Sequence, residues 1–285
     1  MLNTIDSNAN QATVNLSNTV NYDTIKEKQR ATWGSGDYGQ IGVTLQITGE
    51  QLCEAMDVKA GQSVLDIAAG NGNVTLAAAR RFCNVVSTDY VEALLVKSKQ
   101  RAQAEGLDVS FQFADAESLP FSENSFDNVV STFGVMFTPN QAQSAAELIR
   151  VCKPNGKIGL VNWTPEGFVG QLFKLIGSYI APPAGVKSPA LWGTRDFIDQ
   201  QFKSQASEIT YRLREFNFRY HSPQHFIDLF RSYYGPVHKA FAALGETQAA
   251  DLERGIHALI ARFNRDQTGG MVVPSEYLEI VIQKA

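Results

Sequence analysis

Val64-Leu-Asp-Ile-Ala-Ala-Gly-Asn-Gly-Asn-Val-Thr75 decides the fold. A short apolar run ends on Asp66, a Gly-x-Gly turn follows, and a helical pattern begins at Val74. Gly70 and Gly72 lack a Cβ, so a ligand can lie against the backbone there. The turn and the helix N-terminus offer free N–H groups suited to a carboxylate or a phosphate.

Working outward, strand and helix patterns alternate at short intervals. Asn84–Ser87, Val109–Phe113, Phe126–Thr132 and Lys157–Asn162 read as further strands. Val74–Phe82, Val91–Glu105 and Gln143–Cys152 read as the helices between them. Such a rhythm needs crossover connections, hence a mainly parallel, doubly wound α/β sheet with helices on both faces. Upstream, Tyr22–Thr32 and Gln40–Met56 read as helices. Downstream, a strand is expected over Glu208–Tyr220 and a last, antiparallel strand over Tyr277–Ile282. Between them lie helices broken at Gly235–Pro236, where proline interrupts the pattern.

Three segments result. Residues 1–20, rich in Asn, Ser and Thr, are expected to be a disordered tail. Residues 21–58 form an N-terminal helical lid. Residues 59–285 form one domain, with a ligand-binding core over 63–163 and helical covering segments over 164–206 and 221–265. The acceptor pocket is expected to be small and apolar, roofed by the helix from Phe168, the loop Pro182–Trp192 and the helices from His225 to Leu244.

Asp89 closes the second strand, about 20 residues beyond the glycine turn, where a carboxylate can accept hydrogen bonds from ribose hydroxyls. These two elements fit either S-adenosylmethionine (SAM) or NAD. The dinucleotide fingerprint needs a third glycine three residues after the second. Thr75 stands there, which favours SAM.

The third element is Phe113-Ala-Asp115-Ala116-Glu117-Ser-Leu-Pro120-Phe121, followed by Ser125-Phe126-Asp127-Asn-Val-Val-Ser131-Thr132-Phe133-Gly134. With it, the chain from Val64 to Leu160 resembles the class I SAM-dependent methyltransferases, especially the branch of ubiquinone/menaquinone-biosynthesis C-methyltransferases. Glu147-Leu-Ile-Arg-Val-Cys-Lys-Pro-Asn-Gly156 is similar to that family's signature before the fifth strand. Two departures stand out: Ala68 replaces the first glycine of the SAM turn, and Asn155 replaces the usual glycine before Gly156.

The resemblance implies a Rossmann-like fold, SAM as cofactor and S-adenosylhomocysteine as product. It places Asp66, Gly70, Asn71 and Gly72 around the methionyl part and Asp89, with Tyr90 beside it, at the ribose. Asp115 would accept from the adenine amino group, with the Ala116 N–H on the ring. Thr132 and Phe133 would face the amino-acid end, and Trp33 and Tyr38 would fold over the cofactor. SAM brings its own electrophile and leaving group, so no metal is expected and a general base is optional. His221, after a strand, and Glu166, at the carboxyl edge of the fifth strand, are the two candidates for such a base.

Composition narrows the partners. The formal net charge is -4, which argues against a broad phosphate-binding surface. The basic spots Arg80-Arg81 and Lys97/Lys99/Arg101 read as solvated helix faces. Ser131-Thr-Phe-Gly134 stands where nucleic-acid methyltransferases carry an Asn/Asp-Pro-Pro-aromatic tetrapeptide. The expected acceptor is therefore a small molecule, not a nucleic acid. Cys53, Cys83 and Cys152 are too far apart for a zinc pattern and read as buried free thiols of a reducing compartment. With no membrane-spanning run, the expectation is a cytoplasmic enzyme. Its rivals are a catalytically silent SAM-binding protein and a nicotinamide-dependent oxidoreductase.

Overall fold

The computed structural model describes residues 20–285; the tail expected over 1–20 falls, but for Val20, outside them. Seven strands form one sheet: β1 Ser63–Ile67, β2 Asn84–Asp89, β3 Val109–Phe113, β4 Phe126–Thr132, β5 Cys152–Trp163, β6 Ala206–Tyr220 and β7 Met271–Lys284. Their order is β3-β2-β1-β4-β5-β7-β6. The pairs β1–β2, β2–β3, β1–β4 and β4–β5 are parallel, while β7 runs antiparallel to both β5 and β6. This is the doubly wound, mainly parallel sheet that the alternation requires.

Central strands are buried on both faces, and their apolar residues Val64, Leu65, Ile67, Val129 and Val130 are fully buried. From the centre, the chain winds outward in two directions, through helix Asn73–Arg80 from β1 to β2 and through helix Gln141–Val151 from β4 to β5. Right-handed crossovers in opposite directions put these helices on opposite faces. The order reverses between β1 and β4, and a crevice opens at their carboxyl ends, where such sheets hold ligands.

Two elements differ from the sequence reading for identifiable reasons. The helix expected over Gln40–Met56 is three pieces: Tyr38–Gly42, a 3-10 turn Val43–Leu45, and Gln46–Met56. Gly39 and Gly42 disfavour helix, and the Thr44 and Thr48 hydroxyls donate back to the carbonyls of Ile41 and Leu45. The last strand starts at Met271 rather than Tyr277, with Pro274 inside it. Proline argues against an interior strand. It is tolerated because β5 pairs β7 only from Tyr277 onward, whereas Pro274 faces Asn217 of β6 alone.

The basic spots are not simply solvated. Arg80 pairs with Glu50 and Glu105, and Arg81 with Glu50 and Glu54, which ties helix Gln46–Met56 to helix Asn73–Arg80. Periodicity shows an exposed face but not the opposite charges that another helix brings to it.

Candidate functional site

The crevice is a cleft at the carboxyl ends of β1, β2, β3 and β4. Each strand contributes residues at or just past its end: Ala68–Asn71, Asp89–Val91, Ala114–Glu117 and Thr132–Gly134. Lys26, Trp33 and Tyr38 close it from the N-terminal side.

The turn after β1 carries the conformations its residues must tolerate. Gly70 and Gly72 have φ of 56° and 83°. A Cβ on Gly72 would stand 2.1 Å from Ser98 Oγ, so this glycine lets the turn pack on helix Glu92–Ala104. Both departures from the family pattern also fall on left-handed backbone: Ala68 has φ 51° and Asn155 φ 58°. Asparagine visits this region readily and alanine does not, so Ala68 is held there by its surroundings. Arg101, read as a solvated residue, instead donates to the Asn71 carbonyl and to Asn73 Oδ1, bracing the turn.

Asp89 is 5% exposed and spans two loops. Its Oδ2 accepts from Gly70 N at 2.9 Å and its Oδ1 from Val91 N at 2.8 Å. Burial pushes its carboxyl up to about 6, with the backbone N–H groups of Val91, Gly70 and Tyr90 pulling the other way. Asp66 lies deeper and, with Gly72, is not part of the cleft lining. Its Oδ2 accepts from Thr75 Oγ1 at 2.5 Å, and its Oδ1 has no hydrogen-bond partner among the described residues. Burial pushes its carboxyl up to about 7.

At the far end, Asp115 Oδ1 accepts from Glu117 N at 2.9 Å, and Oδ2 accepts from Lys26 Nζ at 2.8 Å. Glu117 Oε1 accepts from Asn140 N, and burial raises its carboxyl above the usual range. Near the β4 end the walls are aromatic. Trp33 meets Tyr38, Phe137 and Tyr234 edge-on at 5.7, 4.8 and 5.5 Å between ring centroids. Phe133, at φ 61°, stacks on Trp163 at 4.0 Å. An aromatic residue in left-handed backbone is a strained conformation, of the kind that clusters at ligand sites. Burial, reinforced by the charge of Asp89, raises the Tyr38 hydroxyl far above its usual range.

The cleft thus gathers Gly70, Asn71, Asp89, Tyr90, Asp115, Ala116, Thr132, Phe133, Trp33 and Tyr38. His221 and Glu166 are exposed and do not line it. The His221 ring stacks on His225 instead. The lining has no residue from 164–206 or 221–265, so the roof differs from the expected one. The N-terminal segment covers the cleft directly. From behind, Tyr234 packs on Trp33 of that cover, and Phe173 of helix Phe168–Tyr179 packs on Phe137 in the turn after β4. Sequence reasoning missed Lys26, Glu117 and Phe137, because their approach depends on tertiary packing. Among the described residues no group of His, Cys, Asp and Glu is placed to hold a metal.

The donor set decides which ligand fits. Three carboxylates, Asp89, Asp115 and Glu117, face the cleft with Lys26 as their one cation. They suit a ligand rich in hydrogen-bond donors and repel a pyrophosphate. The residues present fit the hydroxyl and amino donors of an adenosyl group.

Fold and cleft together define a Rossmann-like α/β protein with a ligand cleft at the point where the strand order reverses. A family profile described as a methyltransferase domain matches residues 65–160. An uncharacterized protein of Mycobacterium tuberculosis is 37% identical over 268 residues, covering 92% of this chain and 96% of its own. The demethylmenaquinone methyltransferase of Clavibacter sepedonicus is 31% identical over 155 residues, covering 52% of this chain and 63% of its own. The crystal structure of the YcgJ protein of Bacillus subtilis shares the fold with a TM-score of 0.56 at 21% identity, covering 84% of this chain and 99% of its own. Residues 65–160 thus carry a methyltransferase domain, and the chain is similar in sequence and fold to class I SAM-dependent methyltransferases. No helix among the described residues is long and apolar enough to cross a membrane.

Proposed function

We propose that the protein binds SAM in this cleft and transfers its methyl group to a small, partly apolar acceptor by in-line displacement. The observation that carries the reading is the alignment, along one cleft, of a side-chain-free turn at Gly70, the Asp89 carboxylate, the Asp115 carboxylate and an aromatic end wall. When bound, SAM supplies an electrophilic methyl on a sulfonium that is its own leaving group.

The rest is done by this chain's residues. The turn Ala68–Asn71 holds the amino-acid end, Asp89 takes the ribose hydroxyls, and Asp115 with the Ala116 N–H reads the adenine edge. Asp66 supports the turn from beneath through Thr75. Trp33, Tyr38, Phe133 and Phe137 surround the acceptor end, exclude water and present ring faces that favour a positive sulfonium. Positioning of this kind supplies much of the rate in a displacement. Neither His221 nor Glu166 borders the cleft, which favours a mechanism without a side-chain base. An enclosed aromatic wall favours a small molecule over a polynucleotide. Three free, buried cysteines agree with a reducing, cytoplasmic setting.

The test is incubation with methyl-tritiated SAM and fractionated small molecules from a cell lysate, with mass spectrometry of labelled products. Label in a small-molecule fraction supports the reading. Label confined to protein or nucleic acid refutes the acceptor class, and SAM binding without any transfer favours a silent SAM-binding protein.

A further inference from the structure

Helix Tyr22–Trp33 is held down by little apolar surface. Its mean hydropathy is low, and Ile25 is its one buried residue. Yet it carries Trp33, which helps close the cleft. A twelve-residue, largely polar helix does not stay in place through propensity alone. Its firmest polar tie is Lys26, whose Nζ lies 2.8 Å from Asp115 Oδ2 and 3.4 Å from Glu117 Oε2. Among the described residues these are the helix's only ion pairs to the rest of the protein.

A surface ion pair contributes little, because two mobile side chains must be ordered in water. This one differs in three respects. The Lys26 side chain is 20% exposed and that of Glu117 only 5%. Both carboxylates are fixed before the lysine arrives, Asp115 by the Glu117 N–H and Glu117 by the Asn140 N–H. And Lys26 itself lines the cleft, beside the carboxylate placed to read a purine amino group.

Resting on the SAM reading above, we propose that Lys26 is a positioning residue with two linked tasks. It orients the Asp115 carboxylate to accept from the adenine amino group, and by the same contact it latches helix Tyr22–Trp33 over the nucleoside. The lysine takes one lone pair of Oδ2 and the Glu117 N–H takes one of Oδ1, which leaves one on each oxygen for the ligand. Release of the cofactor product then requires the latch to open. Loss of the latch speeds release and blunts discrimination between an amino group and a carbonyl at the purine 6-position.

The experiment is stopped-flow dissociation of S-adenosylhomocysteine from the wild type, Lys26→Met and Lys26→Arg, at low and high salt. The equilibrium affinities of S-adenosylhomocysteine and S-inosylhomocysteine are measured alongside. In the wild type, release should quicken as salt screens the pair. Lys26→Met should release about fivefold faster or more, as expected for a pair above the usual surface range. It should also lose the salt effect and discriminate less between the two purines. Lys26→Arg, which keeps the charge, should stay near wild type. A folded Lys26→Met protein with wild-type release and wild-type discrimination overturns the latch. Faster release with unchanged discrimination and an equally fast Lys26→Arg also overturns it, since packing rather than charge would then be the cause. A wild type that binds no S-adenosylhomocysteine brings down the cofactor reading itself, and the latch with it.

Discussion

Thr75 stands where a dinucleotide fingerprint has its third glycine, and its hydroxyl donates to Asp66 Oδ2 at 2.5 Å. The same hydroxyl lies 2.9 Å from Ser87 Oγ, so β1, β2 and the helix after the turn meet at one oxygen. The residue that separates SAM from NAD in the sequence is thus a brace in the structure. Thr75→Val keeps the shape but leaves buried polar groups unpaired, at a cost of about 1–3 kcal/mol. Urea denaturation should show a lower midpoint with an unchanged slope; a wild-type midpoint would mean that the brace contributes nothing.

Asp66 makes stability depend on pH. Its folded carboxyl titrates at about 7 against an ordinary 3.8, so the folded state holds the proton more tightly than the unfolded state. The stability this supplies is complete below pH 3.8 and is lost as pH rises through 7. Asp66→Asn cannot titrate. Its melting temperature relative to wild type should therefore climb between pH 4 and pH 8, and a constant difference across that range would contradict the assignment.

Ala68 sits at φ 51° where a glycine would be unstrained. Ala68→Gly should stabilise the fold by about 0.5–1 kcal/mol, the strain relieved exceeding the entropy added to the unfolded chain. Asn155→Gly, at φ 58°, should be nearly neutral because asparagine already tolerates that backbone. Thermal or chemical denaturation of both variants decides it; destabilisation by Ala68→Gly would mean that the Ala68 methyl packs more usefully than its backbone strains.

Asp89 should couple cofactor binding to pH. Ribose hydroxyls donate to a carboxylate that, without ligand, titrates at about 6. Binding favours the ionised form, so affinity for S-adenosylhomocysteine should fall as pH drops through 6, and binding near pH 6 should release protons. Calorimetry in buffers of different ionisation enthalpy measures both. Affinity that is flat or rises toward pH 5 would remove Asp89 from the ribose.

The core and most of the cleft are legible in the sequence because they are local. The turn at Gly70, the strand end at Asp89 and the Asp115-Ala116 pair each follow a strand directly, and a parallel sheet brings strand ends together. What was not legible depends on packing between distant segments. Nothing near Lys26 in the chain announces Asp115, 89 residues away. Pro274 hid the first half of β7, because only the register with β6 shows that this stretch lacks a second neighbour. The apolar stripes after β5 read as a roof, but they also pack on one another, as Phe168 does on Phe226 and Phe263. A mostly polar helix from the N-terminal side covers the cleft instead.

The central claim is that the cleft is built for SAM and not for a dinucleotide. Isothermal titration of the full chain with SAM, S-adenosylhomocysteine and NAD tests it most directly. The geometry of Asp89, Asp115 and the Gly70 turn predicts saturable binding at one site for both adenosyl sulfur compounds and no measurable binding of NAD. Saturable heat with NAD and none with SAM or S-adenosylhomocysteine would contradict it.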